Sequence, residues 1–504
     1  MDIFQLYRQE LSHTPSRRLG LWERKYNVER IWNSREGWFK LIHVCQRWLR
    51  VVLASSSRLH LQLVITPHRL PRADLMRRLS SLPIFIIWNR ESNDSTKEFD
   101  RVFEAFPDRV RAISFQGEAE GIENVFRAMS TITRRRLCAL ELLDLYSWSL
   151  GVSPLFFPNN FSASSLKCLR VREGDPQPLI PLLSTATQLV ELSLGSIQPW
   201  GPSEVSSFFS HLQQMPCLCR LEIAKGTAYD PSAQDDNESD GSLDSDGPLD
   251  SNEPLDPNEP LYSDVYKDLV PLTPVATLPK LNTLVYYGPV PHFEGMVEGL
   301  CAQSLQHLCI HFHSENPLPH IPHLAAFVRN IAKPFRTLQV AFGFNFEHPG
   351  SSHLMRSDSM VCFGIVTPAH MVSTMQMIGK LFVFDTVGTV DQLILAGDDM
   401  YQFTTQLLNY TIHLRRFFKL FYNVKVIRVK QGLELQVAKS LQQDNEGSAL
   451  DFLPMLEEIH FIWFSRLADT AKAEYTQKTF EPVVTARQRM GRPVRLTWSS
   501  ATRD

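Results

Sequence analysis

The sequence has little of what marks membrane, secreted or nucleic-acid-binding proteins. Its most apolar stretch, Leu82 to Trp88, is far shorter than the roughly 20 residues that a transmembrane helix needs. The 51 basic and 54 acidic residues nearly cancel, which gives no sign of a polyanionic partner. The opening MDIFQLYRQEL lacks the basic and apolar regions of a signal peptide. We therefore expect no membrane and no nucleic-acid partner.

Cysteine usage also lacks the pattern of a disulfide framework. The eight cysteines are scattered and mostly lie inside apolar runs, as buried free thiols do in a reducing compartment. This favours an intracellular protein, cytoplasmic and/or nuclear.

Motifs of common catalytic sites are missing as well. The chain has no P-loop, no G-x-G-x-x-G after a strand, no G-x-S-x-G, no H-E-x-x-H and no C-x-x-C. We therefore predict a protein that is not an enzyme and that holds no cofactor.

The densest group of possible metal ligands is His307, Cys309, His311 and His313 in the run LQHLCIHFH. Strand alternation places these four side chains on one face and Leu308, Ile310 and Phe312 on the other. Successive ligands on one strand face stand about 6.6–7 Å apart, which suits a single tetrahedral ion poorly. We predict no metal site. An exposed polar row and a substrate-binding row both remain open.

Prolines outnumber glycines by 32 to 23, which indicates many short connections with sharp stops. Between them an apolar-x-x-apolar-x-apolar signature recurs every 23 to 34 residues, apart from one gap of 63. It begins at Leu82, Val110, Leu137, Leu166, Leu189, Leu218, Leu281, Leu305, Phe335, Met360, Val390, Val424 and Leu456. Strict leucine forms stand at 137, 166, 189, 218 and 305.

This pattern is typical of leucine-rich repeats, in which each signature forms a strand. The usual Asn or Cys after the last apolar position is missing, so we expect irregular turns. The segments between the signatures are long enough for helices, and the candidate helices are 122–133, 202–214, 322–331, 368–379 and 401–421. The predicted fold class is α/β: a short N-terminal helical module over residues 1–57, then an irregular leucine-rich-repeat-like solenoid of strand-turn-helix units over 58–504.

The gap of 63 residues between two signatures coincides with a low-complexity stretch at 226–266. Twelve Asp or Glu and no Lys or Arg lie between Asp230 and Asp264. Such a composition cannot bury enough apolar area to offset ordering, so we predict a disordered acidic insertion. It is either a docking or phosphorylation-tuned segment, with Ser239, Ser242, Ser245 and Ser251 as acceptors, or a tolerated surface insertion.

The stretch from Trp38 to Leu53 has the 3.6-residue periodicity of an amphipathic helix. Its apolar face holds Trp38, Leu41, Ile42, Cys45, Trp48, Leu49 and Val52. Burial stabilises each large side chain by about 1.5–3 kcal/mol, so this face needs a core or a partner. An ordinary core helix is one interpretation.

The second interpretation comes from a family resemblance. Val44 to Trp48 (VCQRW), with Trp38, Leu41 and Ile42 before it and Val51 to Leu53 after it, resembles the second half of an F-box. Ile3 to Tyr7 (IFQLY) resembles part of that family's first helix, and Ser56 to Pro67 resembles the exit from the module in fungal-type F-box proteins. The Leu-Pro opening of the family is absent, so the resemblance is to a module incomplete at its N-terminus.

The resemblance implies a function for both parts of the chain. The N-terminal helices would bind the Skp-type adaptor of a cullin ubiquitin ligase, and the repeats would select an unknown protein substrate. The adaptor-binding residues would be Ile3, Phe4, Trp38, Leu41, Ile42, Val44, Cys45, Trp48 and Val52. The alternative is a leucine-rich-repeat scaffold that binds partners without a ligase.

Alternation within the predicted strands also defines an extended surface opposite the core. It would carry Cys168, Arg170, Arg172, Glu191, Ser193, Arg220, Glu222, Thr283, Tyr287, His307, His311, Gln339, Arg428, Lys430, Glu458 and His460. A long surface of mixed charge suits a protein partner better than a small molecule. The predicted partner-binding residues are Arg170, Arg172, Arg220, Glu222, Tyr287, His307, His311, Arg428 and Lys430.

Overall fold

The computed structural model describes residues 47, 50, 51 and 54 and, from 62 to 500, the elements given below with their adjoining turns. Its largest gaps are 1–46, 118–136, 148–162, 226–275, 343–358 and 397–410. The nine predicted adaptor-binding residues and the acidic insertion lie outside the described residues. So do the helices predicted at 122–133 and, apart from residues 375 and 378, at 368–379.

Fifteen parallel strands form one sheet, as the repeated signature predicts. The strands are β1 (Leu63–Ile65), β2 (Ile84–Asn89), β3 (Val110–Gly117), β4 (Leu142–Ser147), β5 (Cys168–Gly174), β6 (Glu191–Ile197), β7 (Arg220–Lys225), β9 (Thr283–Gly288), β11 (His307–Phe312), β12 (Thr337–Phe342), β13 (Met360–Ile365), β14 (Gln392–Ala396), β15 (Val426–Lys430), β16 (Glu458–Trp463) and β17 (Arg495–Ser500). Two short strands, β8 (Ala276–Thr277) and β10 (Leu300–Cys301), pair separately.

Helices fill several of the connections. They are α1 (Ile180–Thr185), α2 (Pro202–Leu212), α3 (Val290–Glu298), α4 (Pro322–Arg329), α5 (Thr411–Phe418), α6 (Glu434–Leu441) and α7 (Thr470–Arg489), with a 3-10 turn at Pro107–Arg109. The helices predicted at 202–214 and 322–331 are confirmed, with shorter bounds. The helix predicted at 401–421 is confirmed over α5, and residues 401–410 lie outside the described residues. None of the described helices is long and apolar enough to cross a membrane.

A tight turn precedes the leucine pair in most repeats and explains the signature. The backbone N–H of Leu140 donates to the Leu137 carbonyl at 3.0 Å, and that of Leu305 donates to the Ala302 carbonyl at 3.2 Å. The same bond recurs at Leu82, Leu166, Leu189, Leu218, Leu281 and Leu456. Because the turn positions both leucines toward the helices, neighbouring strands stack leucine on leucine: Leu169, Leu192, Leu221, Leu284 and Leu308 are register partners and fully buried.

The strands follow chain order with one exception. Strand β13 lies between β11 and β12, where an ordinary solenoid would have β12 beside β11. Met360 pairs with His307 on one side and with Thr337 on the other. The Ser359 hydroxyl anchors this arrangement, since it donates to the Pro334 carbonyl at 3.2 Å and accepts from the Arg336 N–H at 3.1 Å. Val361 and Phe363 join the same core as their neighbours.

Buried charges satisfy backbone groups on the helical side of the sheet. The Glu294 carboxylate on α3 accepts the N–H groups of His323 and Leu324, each at 2.9 Å. It therefore caps the N-terminus of α4, whose own N-cap residue, Ile321, has no side-chain cap. Arg487 donates to four carbonyls of the turn at 452–456, and burial lowers the pKa of its guanidinium. Arg109 has the same role in the turn that precedes β2.

Candidate interaction face

The side of the large sheet that faces away from the helices carries the predicted partner-binding residues, and we call it the polar face. Arg170 on β5 and Lys430 on β15 are eight strand positions apart in the sheet order. At about 4.8 Å per strand, roughly 40 Å of sheet separates them. The predicted residues therefore form three groups and not one compact site.

The first group is an ion network of Arg170, Glu191, Arg220 and Glu222 on β5, β6 and β7. Arg170 Nη2 lies 2.9 Å from Glu191 Oε1, and Arg220 Nη2 lies 2.9 Å from Glu222 Oε2. Arg220 Nε also lies 4.0 Å from Glu191, whose side chain is 7% exposed. Burial lowers the pKa of Arg220, but Glu222 and Glu191 outweigh it and raise the pKa above its ordinary value. Both signs of charge are thus paired in this group.

Arg172, two residues beyond Arg170 on β5, packs over an aromatic ring. Its guanidinium carbon lies 5.9 Å from the centre of the Tyr146 ring, within the range of a cation–π contact. Gly195 on β6 leaves room beside it, because a Cβ there would meet Arg172 Cγ at 3.4 Å. The residue is half-buried, and its stem covers the glycine.

The second group is a central patch made of Val285, Tyr287, Cys309, His311, Cys362 and Gly364. The rings of Tyr287 and His311 stack with centroids 4.5 Å apart and an interplanar angle of 14°. His311 lies across Gly364, where a Cβ would come within 2.0 Å of Nδ1. Glycine is therefore required at this position for the stack to form. Cys309 and Cys362 are register partners on β11 and β13.

The expectation of an exposed polar row along 307–313 is wrong for two of its members. His311 is 2% exposed and Cys309 is 3% exposed, because the Tyr287 ring and the inserted strand β13 pack against them. His307 is half-buried, and His313 lies outside the described residues. A hydrogen bond with Cys309, followed by burial, raises the pKa of Cys362 well above its ordinary value. The Cys362 thiol is thus held in its neutral form.

Several buried polar atoms of this face lack partners in the described part of the chain. They are the Tyr287 hydroxyl, Nδ1 of His307 and the side-chain carbonyl of Gln339. Burial and the nearby charge of Arg220 lower the pKa of His307. Burial also lowers the pKa of Lys430, against the opposite effect of Cys362. Among the described residues, no three His, Cys, Asp or Glu side chains come together as a metal-binding group.

The third group lies on β15 to β17, and sequence reasoning identified only part of it. Glu458, His460 and Arg428 were placed on the face, but β17 was not predicted as a strand. Thr497 and Ser499 on β17 hydrogen-bond to the two ring nitrogens of His460, at 2.7 and 2.8 Å. The alternation in Arg495–Ser500 (RLTWSS) was the signal, since Leu496 and Trp498 turn toward the helices.

Arg428 borders this third group on β15. With its amide oriented to satisfy both groups, Gln392 accepts from Arg428 Nε at 3.0 Å and from Nη2 at 3.2 Å. Arg428 and His460 are register partners, so the cation lies beside the imidazole. Burial and then Arg428 lower the pKa of His460, while Glu458 acts in the opposite direction. His460 is therefore held neutral near pH 7.

Comparisons with known proteins give little beyond this. No protein-family model and no curated protein matches the chain. A solved structure described as "Crystal structure of TLR13-ssRNA13 complex" aligns with 11% identity and a TM-score of 0.28. The alignment covers 87% of this chain and 44% of that one, so the chain spans less than half of the matched protein. The class of the molecule therefore rests on its own geometry: a parallel, leucine-rich-repeat-like α/β solenoid with an extended polar face.

Proposed function

We propose that the chain is a protein-binding receptor whose polar face selects its partner. The observation that carries this proposal is the length of the face, on which charged, aromatic and hydroxyl groups extend over β5 to β17. A small molecule would contact only a fraction of such a surface, whereas a protein or peptide could span it. In this role the chain itself needs no chemistry.

The finer proposal is that the receptor belongs to a Skp–cullin–F-box ubiquitin ligase. It is supported by the resemblance of residues 38–53 to the second half of an F-box, a region of which the structure describes only residues 47, 50 and 51. The ligase would act by proximity, because binding raises the effective concentration of the substrate. The alternative is a repeat scaffold with no ligase attached.

Co-purification of the full chain with a Skp-type adaptor tests the ligase proposal. We expect adaptor binding by the natural chain, and its loss in Trp48→Ala and Val44→Asp, which remove apolar contacts of the proposed helix. Arg50→Ala is the matched control, because Arg50 is helical and exposed. Absence of the adaptor from the natural chain, or equal binding by all variants, favours the scaffold alternative.

A second experiment tests the face itself. Proteins captured by the natural chain are compared with those captured by a variant carrying Arg172→Glu and Arg428→Glu. We expect the reversed charges to remove partners that the natural chain retains. Lys478→Glu, an exposed lysine of α7 on the helical side, is the control and should change nothing. If all three chains capture the same proteins with the same yield, the face is not the receptor surface.

A further inference from the structure

A hydrogen-bonded chain of four side chains crosses β16 and β17, and we call it the hydroxyl relay. It consists of Glu458, Thr497, His460 and Ser499. Thr497 Oγ1 lies 2.6 Å from Glu458 Oε1 and 2.7 Å from His460 Nδ1, and Ser499 Oγ lies 2.8 Å from His460 Nε2. All four contacting groups come from the polar face of two paired strands, whose register places Thr497 directly beside His460.

The chemistry of the groups fixes the direction of every hydrogen bond. An ionised carboxylate only accepts, so the Thr497 hydroxyl proton points to Glu458. The oxygen of Thr497 is then free to accept, and His460 Nδ1 donates to it. In a neutral imidazole the other nitrogen carries no proton. His460 Nε2 therefore accepts the hydroxyl proton of Ser499.

This is the arrangement of an activated serine: a nucleophile bonded to a base, and a base oriented by a third group. Ser499 is exposed and is the penultimate residue of β17, at the carboxyl edge of the parallel sheet. Arg428, the register neighbour of His460, supplies a fixed positive charge on the same face.

We propose that Ser499 is a nucleophile toward activated acyl groups, with His460 as its general base and Thr497 and Glu458 as positioning residues. In the first step the Ser499 Oγ–carbon bond forms, the Ser499 proton moves to His460 Nε2, and the bond to the leaving group breaks. His460 returns that proton to the departing oxygen. Water then attacks the acyl-serine with His460 as base, which releases a carboxylic acid and restores Ser499. The receptor role proposed above does not depend on this activity.

The chain contains internal controls for the proposal. Ser210 is an exposed serine whose Oγ lies 3.5 Å from His211 Nδ1. Its hydroxyl, however, donates to the Ser207 carbonyl at 2.7 Å, and His211 Nδ1 lies 2.7 Å from that same carbonyl. Ser184 is exposed and donates to the Pro181 carbonyl. Neither hydroxyl proton is taken up by a base, so neither serine is activated.

The test is covalent labelling of the full folded chain with a fluorophosphonate, followed by mass spectrometry of the labelled peptide. We expect stoichiometric modification at Ser499, none at Ser184 or Ser210, and none in denatured protein. His460→Gln should slow the labelling at least 100-fold, as general-base catalysis contributes about 10²–10⁴-fold. Thr497→Val should slow it about tenfold and leave Ser499 in place. His460→Gln and Thr497→Val are checked for native circular dichroism before labelling.

The pH dependence gives a second measurement that a merely structural relay would not produce. The labelling rate should follow the neutral form of His460, whose charged neighbours are Arg428 on β15, Glu458 on β16 and Arg495 on β17. The labelling rate should therefore stay high as the pH is lowered to about 6.5, and should fall at a lower pH, where His460 becomes protonated. Labelling no faster at Ser499 than at Ser210, or a rate unchanged in folded His460→Gln, overturns the proposal.

Discussion

The two ends of the polar face satisfy their polar groups in different ways. At the β5–β7 end, the ion network joins two arginines to two glutamates, and Glu191 is almost fully buried. At the β16–β17 end, the hydroxyl relay is bonded through neutral groups and finishes at an exposed serine. Removing one charged side chain from the ion network should therefore lower the folding stability strongly. Removing one side chain from the hydroxyl relay should lower it less, and the protein should still fold.

The largest expected effect concerns the shared carboxylate of the ion network. Glu191→Ala removes the carboxylate that lies 2.9 Å from Arg170 and 4.0 Å from Arg220, and both arginine side chains are largely buried. Breaking a buried pair from one side costs about 3–5 kcal/mol, and we expect about 3 kcal/mol here. Glu458→Ala, the matched change at the other end, should cost only about 1 kcal/mol, because its partner Arg495 is exposed.

Urea unfolding followed by circular dichroism measures the loss of stability in Glu191→Ala and in Glu458→Ala. The transition midpoints are compared, since repeat arrays need not unfold in one step. Equal shifts in the two variants would remove the distinction between the ends.

The central patch separates the two ends, and its tightest feature is Gly364. Gly364→Ala places a Cβ 2.0 Å from His311 Nδ1, so the stacked ring must leave Tyr287. Overpacking of this kind costs about 1–3 kcal/mol. Gly195→Ala is the control, because the added Cβ would lie 3.4 Å from Arg172 Cγ, an ordinary van der Waals distance. This variant should lose less than about 0.5 kcal/mol of folding stability.

Thermal or urea unfolding of both glycine variants is the measurement, repeated in a His311→Ala background. There the cost of Gly364→Ala should largely disappear, since the clashing ring is gone. A cost that persists without the ring would assign the effect to the backbone and not to the stack.

Thr497→Val should cost about 1 kcal/mol of stability, because it removes the acceptor of His460 Nδ1 and the donor to Glu458 while keeping the volume. Urea unfolding measures this loss, and its repetition in a Glu458→Ala background tests whether the four residues of the hydroxyl relay stabilise the protein as a unit. If the two losses add fully, Thr497 and Glu458 are not coupled, and the hydroxyl relay is a set of independent contacts.

The repeat signature predicted the strands well because burial of leucine pairs is a local, periodic property. Each strand of the face from β2 to β16 begins within two residues of the start of a predicted signature, except β4, which begins five residues after Leu137. The position of β13 between β11 and β12 could not be predicted, since parallel neighbours with similar apolar rows are interchangeable by pattern alone. The burial of His311 could not be predicted either, because it depends on Gly364, which lies on a strand that is distant in sequence.

The hydroxyl relay was missed for a related reason. His460 and Ser499 are 39 residues apart, and no sequence motif joins them. The register of β16 against β17, fixed by Ile459 on Leu496 and Phe461 on Trp498, brings the four side chains together. The site is thus a consequence of apolar packing on the opposite side of the same strands.

The smallest expected effect is the acid sensitivity that His460 contributes. Its folded-state pKa lies below the ordinary 6.5, so the unfolded chain binds more protons between the two values. Its stabilising contribution is fully present above about pH 6.5 and is lost as the pH falls through the lowered folded value. Stability measured in urea from pH 7.5 to 5.5 should therefore fall less steeply in His460→Gln than in the natural chain. His307, on the same strand as Cys309 and His311, also has a lowered pKa, through burial and then through Arg220 of the ion network, so His307→Gln gives the corresponding change outside the hydroxyl relay. If His460→Gln leaves the slope unchanged while His307→Gln flattens it, the acid sensitivity belongs to His307, and the relay tolerates a protonated imidazole.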